Sequence, residues 1–149
     1  MLAEIGSLLE WLALLAALYG ACATLWSIRL ARSRWATSGR NAIYSAAGLL
    51  GLAMLVLLTA FLSDRFQIRY VYQHSSRDLP LYLKVSALWG GQEGSLLVWS
   101  FLQALCTALV VGRPSGRYSS LTPWAAVFLS ITTAFFTSVT LFLSNPFSL

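Results

Sequence analysis

Four long hydrophobic runs dominate this 149-residue sequence, at residues 5–28, 42–62, 95–111 and 121–143. Each is close to the ~20 residues that an α-helix needs to cross a bilayer. Hydrophobic residues make up 58% of the chain and charged residues only 10%, too apolar a composition for one soluble core. The sequence therefore predicts an all-α integral membrane protein with about four transmembrane helices, in a single membrane domain over residues 1–149.

Charge in the connections predicts the orientation. Basic residues without acidic neighbours occupy the first and third connections: Arg29, Arg32, Arg34, Arg40, Arg113 and Arg117. Because cytoplasmic connections carry the excess of Lys and Arg, these two face the cytoplasm. The N-terminus and residues 63–94, called the outer loop below, then face the periplasm of a bacterium. The net charge of +5 is spread between the runs, which argues against a nucleic-acid partner.

Three residues inside the hydrophobic runs need an interpretation. Glu10 interrupts the first run, which lacks a basic start, so no cleaved signal peptide is predicted. Since Glu10 lies only about one and a half turns into the run, we expect its carboxylate to reach the membrane interface. Cys22 and Cys106 form no CxxC pair, and we expect two small buried hydrophobic side chains rather than a zinc or redox site.

The outer loop is too long for a simple turn, so it is expected to carry structure or function. Alternating residues at 66–73 permit a short extended segment. Asp78 is a possible helix N-cap, and Pro80 suits the first turn of a helix. A helical period then predicts a short amphipathic helix lying flat on the outer membrane interface, with Lys84 and Ser86 turned away from its apolar face. That face comprises Leu81, Tyr82, Val85, Leu88 and Trp89.

The end of the outer loop, "WGGQEGS", holds the densest cluster of unusual residues in the chain. Its three glycines are expected to turn the chain into the third span through backbone angles that other residues avoid. Glu93 or Ser95 is expected to cap that helix, with the carboxylate favoured by the helix dipole. His74 is the single histidine and is interpreted as an ordinary polar loop residue, so no metal site is predicted.

The order of these elements resembles the CcmF family, the haem lyase component of cytochrome c maturation. The outer loop reads "YVYQHSSRDLPLYLKVSALWGGQEGSLLVW", and the family has a similar aromatic start, "LP" step and "WG-x-H/Q-EGS" end. "SNPF" at residues 144–147 is similar to the family at the same relative place. The resemblance covers essentially the whole chain. It implies that the chain corresponds to the N-terminal portion of a CcmF-type protein.

The resemblance implies a function and also marks what this chain lacks. It implies a part of a haem lyase complex that attaches haem to CxxCH cysteines, with haem as cofactor. The implied partners are the remainder of the lyase, a haem chaperone and apocytochrome c. The family's later tryptophan-rich segment, its flanking histidines and its later transmembrane histidines are absent here, so axial ligands are expected elsewhere and the chain is not expected to be catalytically complete.

Two functional interpretations follow for the outer loop. In the first, the outer loop forms a wall beside the haem and apocytochrome site. Gln92 stands where the family often has histidine, so this loop is expected to contact haem without supplying an axial ligand to its iron. The residues expected to face haem or a partner are Trp89, Gly90, Gly91, Gln92, Glu93, Gly94, Ser95, Tyr82, Lys84, Tyr72 and His74. In the second, the chain is a structural or scaffold subunit whose outer loop docks a partner.

Overall fold

Six α-helices make up a computed structural model that describes residues 1–30, 33–113 and 120–148. They are α1 (Leu2–Leu30), α2 (Ser33–Leu62), α3 (Arg69–His74), α4 (Leu81–Ala87), α5 (Gln92–Gly112) and α6 (Thr122–Leu143). These ranges contain no β-strand. The helices α1, α2, α5 and α6 are long and apolar enough to cross a membrane. The predicted all-α fold with four spans is therefore confirmed, and the single domain stays a prediction.

The four long helices form a ring in which each packs against two others. α1 lies between α2 and α6, and α5 completes the ring by contacting α6 and α2. Small residues let α1 and α2 approach closely, as is common between membrane helices. At Gly39, an added Cβ would lie 2.5 Å from the Thr24 hydroxyl oxygen, so this crossing requires a glycine.

Hydroxyl side chains line the buried contact between α5 and α6. Ser100 and Thr140 lie within hydrogen-bonding distance at 3.3 Å, and Thr107 and Thr133 approach to 3.5 Å. Each of the four hydroxyls also donates to the backbone carbonyl four residues earlier. Because these polar groups have partners within the bundle, their burial at membrane depth does not leave them unsatisfied.

The expectation for Glu10 is wrong. Its side chain is fully buried inside the bundle, and neither carboxylate oxygen has a hydrogen-bond partner among the described residues. The reason is register: α1 begins at Leu2, and Glu10 continues the stripe of small buried residues that includes Ala3, Gly6 and Ala13. A side chain on that stripe points at the neighbouring helices and cannot turn towards the interface.

The two cysteines are also placed differently from the prediction. Cys22 and Cys106 are both free thiols exposed on the outside of the helix bundle. Apolar sequence on every side made burial the simplest expectation. In a membrane-spanning helix, however, apolar residues occupy the lipid-facing surface as well as the core, so hydropathy does not tell the two faces apart.

The N-terminus, the outer loop and the C-terminal tail meet at one end of the bundle. Phe147 is buried against Gly6 of α1, where an added Cβ would overlap the phenyl ring. The backbone N–H of Arg69 donates to the Ser148 carbonyl at 3.0 Å. Arg29, Arg34 and Arg113 lie at helix ends away from this cluster, and Arg40 lies about two turns into α2. Arg32 and Arg117 fall outside the described residues. The direction of the bundle across the membrane stays a prediction.

Candidate functional site in the outer loop

The outer loop begins with a helix where an extended segment was predicted. Residues 69–74 form α3, which follows a tight turn at Asp64–Ile68. The predicted alternation of buried and exposed side chains is not observed, because the adjacent residues Tyr70 and Val71 are both buried. The helix instead brings Tyr70 and His74, four residues apart, onto one face, where their ring centroids lie 4.5 Å apart.

Tyr70 is the residue that joins the parts of the outer loop. Its hydroxyl oxygen accepts a hydrogen bond from the Gly91 N–H at 3.0 Å. The hydroxyl proton faces the carbonyl oxygens of Ala87 and Leu88, at 3.1 and 3.2 Å. Its ring packs edge-on against Phe61 of α2, with centroids 5.6 Å apart. One side chain thus links the end of α2, α3, α4 and the start of α5. No feature of the sequence was interpreted as giving Tyr70 this structural role, although its four-residue spacing from His74 was a usable signal.

Burial raises the pKa of the Tyr70 hydroxyl above its ordinary value of 10.0. The backbone hydrogen bond from Gly91 acts in the opposite direction, and the negative charge of Glu93 raises the pKa further. A raised pKa in the folded state means that this contribution to stability is complete below pH ~10 and is lost as pH rises through the folded value. The neutral hydroxyl is therefore the form that holds the outer loop together.

Replacing Tyr70 by Phe is expected to destabilise the outer loop by about 1–2 kcal/mol, because Gly91 N–H and the carbonyls near it lose a buried partner. Tyr72→Phe is the matched control, since the Tyr72 side chain is 70% exposed. Hydrogen exchange of residues 86–95 should accelerate in the first variant and stay unchanged in the second. Tyr70→Phe should also remove the part of the stability loss at alkaline pH that comes from the Tyr70 hydroxyl. Equal exchange rates in the two variants would contradict the role of Tyr70 in joining the outer loop.

Two of the three glycines are required for close packing, not for unusual backbone angles. None of the described glycines has a positive φ, so that prediction is wrong. An added Cβ at Gly94 would overlap the Leu88 carbonyl oxygen and the Tyr70 hydroxyl. At Gly91 it would lie 2.6 Å from Nε2 of His74. At Gly90 the nearest atoms are 3.5 Å away, an ordinary contact.

The predicted caps of α5 are also wrong. Its N-cap is Gly91, in an extended conformation and without a side-chain capping hydrogen bond. The Ser95 hydroxyl donates to the Trp89 carbonyl at 2.9 Å, so it closes the preceding turn. Glu93 occupies the first helical turn, where a negative charge is favoured by the helix dipole. Gln92 is exposed beside it.

The short helix α4 has the predicted apolar face, but without the predicted cap. Pro80 is its N-cap residue and no side chain caps it, while Asp78 is exposed in the turn before. Leu88 leaves the predicted face and is buried against the protein at 3% exposure. The remaining four residues of that face are exposed: Leu81, Tyr82, Val85 and Trp89. Leu83 of the same helix and Tyr72 of α3 are exposed as well.

A buried ion pair fixes α4 to the end of α2. The Lys84 ammonium lies 2.5 Å from the Asp64 carboxylate, and its side chain is only 6% exposed against 30% for Asp64. Asp64 has a φ of 51°, which ends α2 in the left-handed region that Asp tolerates. Lys84 therefore does not present its charge at the surface, and Asp64 is a partner that sequence reasoning missed.

His74 is packed in a way that does not suit an axial ligand to haem. Its Nδ1 lies 3.1 Å from the Tyr70 carbonyl oxygen, and its Nε2 faces Gly91. Both ring nitrogens are thus directed at the protein, and the ring is stacked on Tyr70. Among the described residues, no group of three or more His, Cys, Asp or Glu side chains could hold a metal ion. The described residues of the outer loop therefore do not fit the ligation of haem iron.

The C-terminal tail, residues 144–148, packs against the same end of the bundle as the outer loop. The Asn145 side-chain oxygen accepts a hydrogen bond from the Phe147 N–H at 2.8 Å, which forms a compact turn. Phe147 then fills the space beside Gly6, and Pro146 is fully buried. The tail therefore has a structural role, since Phe147 packs against α1 and the following Ser148 accepts the hydrogen bond from Arg69 of α3.

Together, these features define a multi-pass helical membrane protein in which a structured outer loop is fixed to one end of a four-helix ring. No protein-family model matches the chain. The cytochrome c-type biogenesis protein CcmF of Escherichia coli is 32% identical over 148 residues, 99% of this chain and 23% of that protein. CcmF of Haemophilus influenzae is 31% identical over the same share of each chain.

A solved structure gives the same result. The cytochrome c haem lyase CcmF superposes with a TM-score of 0.91 and 28% identity, over 99% of this chain and 25% of that one. The chain belongs to the CcmF family of cytochrome c-type biogenesis proteins. It spans about a quarter of the length of these relatives.

Proposed function

We propose that this chain is the N-terminal portion of a haem lyase for cytochrome c maturation, in the bacterial inner membrane with its outer loop in the periplasm. The outer loop forms a wall beside the site where haem is attached to the CxxCH cysteines of apocytochrome c. Haem is a substrate at this wall, and its ligands come from the remaining part of the lyase. A haem chaperone and apocytochrome c are the further partners.

One observation carries this proposal: the outer loop exposes aromatic side chains, and buried, hydrogen-bonded residues support them. Tyr72 and Tyr82 are 70% and 71% exposed, and Trp89 is 52% exposed. The residues that hold them, Tyr70 and Lys84, are buried. A haem has two broad apolar faces, so exposed aromatic rings at fixed positions suit contact with it or with a peptide that carries it.

The chain is proposed to supply contact and not the chemistry of thioether formation. His74 is directed inward, and Lys84 is held by Asp64. Three exposed bases, Arg65, Arg69 and Arg77, remain on the outer loop, and Arg69 and Arg77 are proposed to meet the haem propionates. This division of roles, with contact from this chain and chemistry from the rest of the lyase, fits a chain that spans about a quarter of its relatives' length.

The test replaces exposed aromatic residues in cells that carry the complete maturation system. Trp89→Ala combined with Tyr82→Ala is expected to lower covalently bound haem in c-type cytochromes about tenfold, as for removal of aromatic anchors from an interface. Trp124→Ala is the control, because Trp124 is 44% exposed, close to the 52% of Trp89, but lies at the start of α6. The level of each variant in the membrane is measured in parallel.

A photo-crosslinker at Trp89 separates this proposal from a scaffold role. Crosslinks to apocytochrome c or to a haem chaperone support the proposed function. Crosslinks to unrelated membrane subunits alone, with normal covalent haem in the double variant, would refute it and favour a structural subunit.

A further inference from the structure

An apolar groove lies between α2 and α5 on the outside of the helix ring. It has a volume of about 540 Å³, and none of its lining residues is polar. The lining comprises Ala47, Gly48, Gly51, Leu52, Met54, Leu55, Leu58, Leu88, Phe101 and Leu105. Leu88 of the outer loop closes its upper end, so the groove runs from the candidate site into the membrane-spanning region.

The floor of the groove is made of small residues on α2. A Cβ added at Gly48 would meet no atom within 4 Å, so the α2 backbone is open to a neighbour there. Ala47 and Gly51 lie on the same part of the helix, and Phe101 of α5 lies 3.1 Å from the position of a Gly51 Cβ. Large exposed residues, Leu52 and Leu55, form the rim.

A glycine inside a helix is less favourable than an alanine, so a glycine on an open helix face needs a reason. Lipid chains adapt to any apolar surface, and a lipid-facing position does not require a glycine. Close approach of a second helix does require small residues, because only they allow two backbones to come together. At membrane depth, an α-helix with all its backbone hydrogen bonds satisfied is the segment that fits such a groove.

We propose that this groove is the docking site for a transmembrane helix from the part of the CcmF-type protein that this chain does not include. Roughly three quarters of the relatives' length lies outside the matched region, since the match covers 22–25% of their chains. The incoming helix presents large apolar side chains to Gly48 and packs against the exposed rim residues Leu52 and Leu55. Because Leu88 of the outer loop borders the same groove, the docked helix lies directly beside that loop.

This inference rests on membership of the family and not on the proposed role of the outer loop. The two can fail separately, because docking is read out as a crosslink and function as covalent haem. A loop without a role in haem attachment would leave the crosslink intact. An empty groove would leave the effect of Trp89→Ala intact.

The experiment places a photo-crosslinking amino acid at Leu52, in membranes that contain the complete lyase. The expected product joins Leu52 to a hydrophobic segment of the remaining lyase sequence, identified by mass spectrometry of the digested adduct. The control position is Phe128 of α6, which is 66% exposed but lies away from the groove. Crosslinks from Leu52 only to phospholipid, or to a second copy of this chain, would overturn the proposal.

A second variant tests the small residues directly. A Cβ at Gly48 would meet no atom of this chain within 4 Å, so the side chain of Gly48→Leu can extend into the groove and the level of this variant in the membrane should not change. The crosslink yield from Leu52 is expected to fall about tenfold, since a bulky side chain prevents close approach of the helices. Gly48→Ala should lower the yield less. An unchanged yield in Gly48→Leu would show that the helix does not dock here.

Discussion

Gly94→Ala is expected to destabilise the outer loop by about 3 kcal/mol, the upper range for forcing an extra methyl group into a packed site. The added Cβ would overlap a backbone carbonyl, that of Leu88, and the Tyr70 hydroxyl. Backbone cannot rotate away as a flexible side chain can, so the turn into α5 must shift. The hydrogen bond between Gly91 N–H and Tyr70 should be lost in the same step.

Gly90→Ala is the matched control, because it lies in the same turn and has 3.5 Å to its nearest neighbour. Thermal unfolding in detergent and limited proteolysis between residues 63 and 94 measure both variants. Faster cleavage is expected in Gly94→Ala alone. If Gly90→Ala were cleaved as fast, the glycines would be needed for backbone freedom after all, against the φ values observed.

Asp64→Asn is the second large effect, with an expected loss of about 3 kcal/mol from leaving a buried charge without its partner. Asn keeps the left-handed backbone at this position, so the substitution removes the charge alone. Lys84 is the member of the pair that cannot reach water, since its side chain is 6% exposed. The α4 helix should therefore detach from the end of α2.

Lys84→Met should lower the free energy of unfolding by about 1 kcal/mol, less than Asp64→Asn. The carboxylate that it leaves unpaired, Asp64, is 30% exposed and can be hydrated. Asp64→Asn combined with Lys84→Met should recover most of the loss, and the cycle of four proteins gives the coupling. Asp78→Asn is the control at an exposed acid of the same loop. A larger loss of stability in Lys84→Met than in Asp64→Asn would show that the Lys84 ammonium is not the buried charge that needs its partner.

Part of the outer loop was predictable from sequence, and part was not. The exposed face of α4 follows from its 3.6-residue period, which is a local property. The pairing of Lys84 with Asp64 joins residues 20 positions apart, and nothing local marks either as the other's partner. The extended segment was mispredicted for a related reason, since alternation of side chains over a few residues does not exclude a helix whose buried face is set by a distant contact.

The sequence by itself determined the membrane class, the four spans and the family. Hydropathy suffices for the spans because each must cover ~30 Å of hydrocarbon alone, whatever its neighbours are. Only the tertiary structure decided which apolar residues face the ring and which face outward, as Glu10 and the two cysteines demonstrate. It also decided why Gly91 and Gly94 are glycines, because the Tyr70 side chain that lies against both of them comes from α3, some 20 residues earlier in the chain. Packing between distant segments is a property of three-dimensional contacts, and one sequence does not record it.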